Sequence, residues 1–194
     1  MERSDYLVLV NKTNKVPNDW YEKVEMVEIK NGFGKIVKIE KETLEQFTQL
    51  RNDLLGENVD IELDSVYRSE PIQKDLFEEY KEKYWEDYAN QYVAFPGYSE
   101  HHTWLALDIF IKKENGEIIS ENHEMIVECG IFEKIHKKLW DYWFILRYLD
   151  WKEKITWYTY EPWHLRYIWD ISIAKKIYEN WLTLEEYLNQ SNNN

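Results

Sequence analysis

The chain has 194 residues, 44% hydrophobic and 31% charged, a length and composition that suit one globular domain over residues 1–194 with its own core. Lys+Arg 24 against Asp+Glu 37 gives a net charge of -13, which excludes the basic surface that nucleic-acid phosphates or anionic lipid headgroups demand. The lone cysteine, Cys129, excludes an internal disulfide and is expected as a small buried apolar side chain.

In chain order, Tyr6 to Val10 is a short apolar run that reads as a buried strand. Val24 to Ile39 holds two β-branched runs around Asn31-Gly32-Phe33-Gly34, which predicts two extended segments joined by a loop. Thr43 to Leu55 places Leu44, Phe47, Leu50 and Leu54 at helical spacing, with Gly56 as the stop. Asp60 to Val66 alternates polar and apolar residues, so a half-buried strand delivers Tyr67-Arg68-Ser69. Ser69 caps the next helix and Pro71 sits in its first turn; the helix carries Leu76, Phe77, Tyr80 and Tyr84 and continues to about Tyr92.

Pro96-Gly97 forces a loop, Leu105 to Ile111 reads as a strand, and Asn115-Gly116 marks a hairpin turn. Ile131 to Trp140 reads as helix, and Ile145 to Leu149, Ile155 to Tyr160 and Leu165 to Ile168 as strands. Ile171 to Tyr178 is helical, and Thr183-Leu184-Glu185-Glu186 is a capping box opening a last short helix. Asn189 to Asn194 is a polar tail expected to fray. Helices and strands mix without regular alternation, which predicts an α+β fold.

Two stretches carry chemistry: Ser99 to Asp108, and Glu161-Pro162-Trp163-His164. His101, Asp108 and His164 offer two imidazoles and a carboxylate, the ligand set of a catalytic zinc site with its fourth position open. His101 and Asp108 are seven apart, so on one strand they would face opposite ways; they converge only if His101 lies in a loop. Pro162 makes a helix interior unlikely for Glu161 and His164, and an irregular turn into a strand would bring both to one site. A carboxylate that does not bind the metal can take the proton from water and pass it to a leaving amine, and Glu161 is the candidate. Arg68 is a fixed charge suited to an oxyanion or a substrate carboxylate. On spacing alone, the plainer alternative of a few surface charges and a satisfied histidine stays open.

The motifs Ser65-Val66-Tyr67-Arg68-Ser69 with Gln73, Pro96 to His101, Leu105 to Asp108, and Glu161 to Tyr167 resemble those of the VanY-type D-alanyl-D-alanine carboxypeptidases. Leu9 to Lys12 and Arg147-Tyr148 match as well, so the resemblance covers nearly the whole chain. It implies one domain with an antiparallel sheet flanked by helices, and one Zn2+ held by His101, Asp108 and His164. It implies Glu161 as base, Arg68 as transition-state and substrate contact, and Ser99 and Gln73 in substrate binding. It implies removal of terminal D-alanine from peptidoglycan stem peptides or D-Ala-D-Ala-containing precursors by metal-activated water. His102, His123 and His136 match no ligand position. The rival readings are a phage-type peptidoglycan endopeptidase and a non-catalytic zinc-containing binding module of the same fold.

Trp85, Trp104, Trp143, Trp151, Trp157, Trp169 and Trp181 depart from that pattern, falling where the resembled family tends to have glycine. Asp150-Trp151 sits where a turn wants Asp-Gly, and Asn180-Trp181 where a helix ends in a left-handed glycine. Six glycines in 194 residues is about 3%, against a usual ~7%. A codon read as tryptophan in place of glycine, UGA, accounts for these positions together. Behind Met1 to Asp5 there is no signal core and no run long enough to span a membrane. A cytoplasmic monomer is expected, or a chain trimmed or exported to act outside the membrane.

Overall fold

The computed structural model describes residues 1–192. Tyr6 to Val10 is not the strand its apolar run predicts. Arg3–Leu7 forms a 3-10 helix, and Tyr6 and Val10 are buried without a ladder. The carbonyls of Tyr6 and Val8 instead accept from Arg166 Nη2, each at 2.9 Å, so a guanidinium replaces the missing strand.

After a short helix α1 (Trp20–Lys23), strands β1 (Met26–Lys30) and β2 (Ile36–Glu40) pair antiparallel around the predicted loop. Helix α2 (Lys41–Leu55) starts two residues earlier than expected, because the Glu40 carboxylate caps it at Thr43 N, 2.7 Å away. It buries Phe47, Leu50 and Leu54, the predicted face. Strand β3 (Asp60–Ser65) leads to helix α3 (Glu70–Tyr84), with Ser69 at its N-cap as expected. The helix predicted to run on to Tyr92 breaks at Trp85, where φ is 117°, and resumes as α4 (Glu86–Tyr92).

A 3-10 turn (Glu100–Thr103) precedes β4 (Ala106–Lys112), and the Asn115-Gly116 turn joins it to β5 (Ile118–Ile119). Next come α5 (Asn122–Met125) and α6 (Cys129–Lys138); Cys129 is exposed at the start of α6, against the expectation of burial. Strand β6 (Phe144–Leu146) is followed by α7 (Glu153–Thr156), where a strand over Ile155 to Tyr160 was predicted. Local bonding wins over β propensity there: the Thr156 hydroxyl donates to Tyr158 O at 3.2 Å and accepts from Tyr158 N at 3.3 Å. Strand β7 (His164–Tyr167), α8 (Ile171–Glu179) and α9 (Leu184–Asn192) complete the chain. The capping box is reciprocal, with Thr183 N donating to Glu186 Oε2 at 2.9 Å and Glu186 N to Thr183 Oγ1 at 3.2 Å. Residues 189–192 are helical rather than frayed, and 193–194 lie outside the described residues.

The main sheet runs β3-β4-β7-β6, all antiparallel, with β5 on the far end of β4. Paired on both sides, β4 is the central strand, and most of its side chains are buried. The principal core packs α2 and α6 against this sheet through Phe47, Leu50, Ile61, Leu107, Phe132 and Leu165. Among the described residues, no helix is long and apolar enough to cross a membrane.

Candidate metal centre and active site

Sheet register builds half of the site. Asp108 on β4 lies directly opposite His164 on β7, so both side chains share one face. On its other side Asp108 lies opposite Ser65, and a register shift between Leu63 and Ser65 sets the exit of β3 towards Arg68. His101 arrives from the 3-10 turn, whose first N–H groups are capped by Ser99 Oγ accepting from His101 N at 3.3 Å. The backbone of Arg68 donates to His101 O at 3.2 Å, tying the arginine to the same corner.

The three predicted ligands converge. His101 Nε2 is 3.1 Å from Asp108 Oδ2, and His164 Nδ1 is 3.0 Å from Asp108 Oδ1. One ligand atom from each lies within 4.8 Å of the others. His101 Nδ1 contacts the Val66 carbonyl, which can only accept, so Nδ1 holds the proton and Nε2 faces the site bare. Asp108 Oδ1 is buried with no hydrogen-bond partner. The bare Nε2 of His101 facing Asp108 Oδ2, with Asp108 Oδ1 facing His164 Nδ1, is a donor set that suits a dication, and two histidines with an aspartate suit zinc.

The remaining groups stand around this point. Glu161 Oε2 is 3.6 Å from His164 Nδ1. Burial pushes its carboxyl up to about 7, against the pull of His164. Burial works to lower His164, but Asp108 and Glu100 hold it up at about 9. His101 is pushed down by burial. Arg68 Nη2 lies 3.8 Å from Asp108 Oδ2, and Nη1 donates to Gln73 Oε1 at 3.0 Å. Gln73 Nε2 donates to Ala94 O at 2.8 Å, so this buried amide aims the guanidinium. Ser99 and Gln73 both line the resulting cleft of about 230 Å³, with Tyr80, Tyr92, Tyr158 and Trp163.

Several residues given no role by sequence reasoning take part. Glu100, fully buried, accepts from Arg147 Nε at 2.8 Å and Arg166 Nη1 at 2.6 Å. Its other oxygen faces His164 Nε2 at 3.5 Å, and neither atom has another partner. His136 Nε2 bonds Pro162 O at 2.9 Å, holding the turn that carries Glu161. His102 accepts from Gly97 N at 3.0 Å and bonds Arg68 O, while His123 is exposed. Lys12 donates to Trp157 O at 2.6 Å and sits 4.4 Å over the Tyr158 ring. The available signal was the charge within apolar surroundings: Arg166 in a wholly buried four-residue strand must find a carboxylate.

The VanY family of D-alanyl-D-alanine carboxypeptidases matches residues 36–170. The chain belongs to that family. It is 37% identical over 133 residues to the bifunctional D-Ala-D-Ala dipeptidase and carboxypeptidase VanXYC of Enterococcus gallinarum, covering 68% of each chain. A point mutant of the vancomycin resistance D,D-pentapeptidase VanY from the VanB-type cassette, solved with Zn(II), superposes with a TM-score of 0.80 at 28% identity. That match covers 96% of this chain and 99% of the other. The LD-carboxypeptidase LdcB superposes with a TM-score of 0.82 at 34% identity, over 96% of this chain and 87% of the other. The chain spans about two thirds of the length of three curated relatives it matches. The α+β architecture, with an antiparallel sheet and helices, matches that of the VanY structures.

Proposed function

We propose that this chain is a zinc-dependent carboxypeptidase that removes the terminal D-alanine from peptidoglycan stem peptides or their precursors. The observation that supports it most is the convergence of His101, Asp108 and His164 on one point, with Glu161 and Arg68 beside it in an open cleft. In this reading the three are the metal ligands. Zinc held there supplies a Lewis acid and lowers the pKa of a water molecule towards neutrality. Glu161 takes the proton from the attacking water and returns it to the departing D-alanine amine. A carboxyl lifted to about 7 by burial is matched to a proton taken and given back near neutral pH, and a neighbouring dication favours its charged form. The Arg68 guanidinium, held by Gln73 and Ser65 Oγ at 3.2 Å, binds the developing oxyanion or the substrate carboxylate. Ser99 and Gln73 shape the cleft around the peptide.

Incubation of zinc-loaded protein with stem tetrapeptide and pentapeptide tests the proposal. Release of D-alanine from the pentapeptide assigns a D,D-bond, and release from the tetrapeptide an L,D-bond. Release from neither overturns the reading. Glu161→Gln is expected to keep stoichiometric zinc while turnover falls ~10²–10⁴-fold, since an amide cannot accept the proton.

A further inference from the structure

Seven backbone positions in this fold have the positive φ that favours glycine and hold tryptophan. Among the described residues, eight that are not glycine have positive φ. One is Asn58 at 60°, a side chain that tolerates the left-handed region. The other seven are Trp85 (117°), Trp104 (60°), Trp143 (63°), Trp151 (66°), Trp157 (61°), Trp169 (52°) and Trp181 (52°). Aromatic character does not explain them. The chain has 15 tyrosines and 7 phenylalanines, and none adopts positive φ, nor does Trp20, Trp140 or Trp163.

Six of the seven local geometries have a recognisable reason for glycine. Trp85, at φ 117° and ψ 164°, occupies a region that is essentially glycine-only. Trp104, Trp143 and Trp157 are left-handed residues directly after short helical turns. Trp181 closes α8 in a Schellman motif: Leu182 N donates to Ile177 O at 3.0 Å and Trp181 N to Tyr178 O at 3.3 Å. Trp151 is the third residue of a turn closed by Lys152 N donating to Leu149 O at 3.3 Å.

The seven side chains do not share one environment: Trp85, Trp151, Trp157 and Trp181 stand in solvent, whereas Trp104 lies in the core and Trp143 and Trp169 pack against it. Trp85, Trp151 and Trp181 are 64%, 88% and 66% exposed. Trp104 is buried, yet its indole N–H has no partner. Trp20, by contrast, is buried with its indole donating to Thr103 O at 3.1 Å. Tryptophan in this chain therefore falls into two populations, seven at positive φ and three not. Exchanging the seven leaves three tryptophans and thirteen glycines, which restores an ordinary glycine content of ~7%.

We propose that the cell builds this chain with glycine at positions 85, 104, 143, 151, 157, 169 and 181, and that these seven tryptophans are UGA codons read under the wrong assignment. Tryptophan at 20, 140 and 163 is then UGG. The exchange matters most at 104, in the passage from the His101 turn into β4, where the indole stacks on Tyr67 at 4.4 Å and meets Tyr21 at 5.3 Å.

The coding sequence tests this first. UGA at the seven positions and UGG at the other three is expected; UGG at any of the seven, or UGA at any of the other three, overturns the proposal. Peptide mass spectrometry of the protein from its natural host is expected to find glycine at 104 and 181, and tryptophan at either overturns it. Finally, the chain as written and a version carrying Trp→Gly at all seven sites can be melted side by side. Relief of strain outweighs the added unfolded-state freedom of glycine, so the exchanged version is expected to melt ~10 °C or more higher. An equal or lower melting point overturns the proposal. None of these readouts depends on the catalytic reading.

Discussion

Glu100 shows how much one side chain can hold together. Its carboxylate is enclosed by Arg147, Arg166 and the far nitrogen of His164, and Arg147 in turn grips Glu185 at 2.7 and 2.9 Å. Removing one charge from such a cluster leaves two buried guanidiniums under-compensated. Glu100→Gln is therefore expected to lower stability by roughly 3–5 kcal/mol, read by denaturant unfolding. Because the same carboxylate orients a ligand histidine from behind, zinc affinity is expected to fall about 10–100-fold in a metal titration. No change in either quantity would reject the positioning role. His136 carries a pH signature. Burial pushes it down to about 4 from an ordinary value of 6.5, so the unfolded chain takes up its proton first as pH falls. Its contribution is complete above 6.5 and is lost as pH drops towards 4, on the order of 1–3 kcal/mol across that window. His136→Gln keeps a donor for Pro162 O without titrating. Its stability profile between pH 4 and 6.5 is expected to be flatter than the parent's, and an unchanged slope would refute the assignment.

At the scale of elements, the β1–β2 hairpin is pinned to the main sheet at its tip. Gly32 N donates to Leu63 O at 2.9 Å, and Phe33 stacks on Phe110 at 4.4 Å. That approach is close enough that a Cβ on Gly32 would lie 2.5 Å from the Phe110 ring and 2.6 Å from Glu62 Cβ. Gly32→Ala is expected to destabilise by about 1–3 kcal/mol through overpacking, measured by thermal melting. A neutral result would mean the hairpin tip lifts freely off the sheet. The site itself rests on three kinds of element. A central strand places Asp108, a neighbouring strand places His164, and a 3-10 turn places His101.

For the whole molecule, a metal at this point would bridge all three of those elements. Without it, the β4–β7 ladder and the principal core still hold these elements in place, so the metal-free protein is expected to remain folded. Zinc at about 1,000 times its Kd adds ~4 kcal/mol, and each kcal/mol moves the melting point of a domain this size by ~2–4 °C. Chelation is expected to lower the melting temperature by roughly 8–16 °C while the far-UV spectrum at 25 °C keeps its shape. Melting that ignores the chelator would argue against a bound metal in the folded state.

Much of this protein was legible before any coordinates. Residue spacing marked α2, β3, the Ser69 cap and the Thr183 capping box, because periodicity and capping are local properties. The motifs singled out His101, Asp108, His164, Glu161 and Arg68, and the fold brings them to one cleft. Glycine deficit and tryptophan placement pointed to seven positions before φ was known, since a turn or helix end needs a left-handed residue whatever surrounds it. What the tertiary structure alone decided was non-local. Tyr6 to Val10 did not become a strand: its first residues sit in a 3-10 turn, and Arg166, far along the chain, supplies donors to the Tyr6 and Val8 carbonyls. Glu100 acquired its role only when folding closed two arginines and a histidine around it, a pairing that no local pattern encodes.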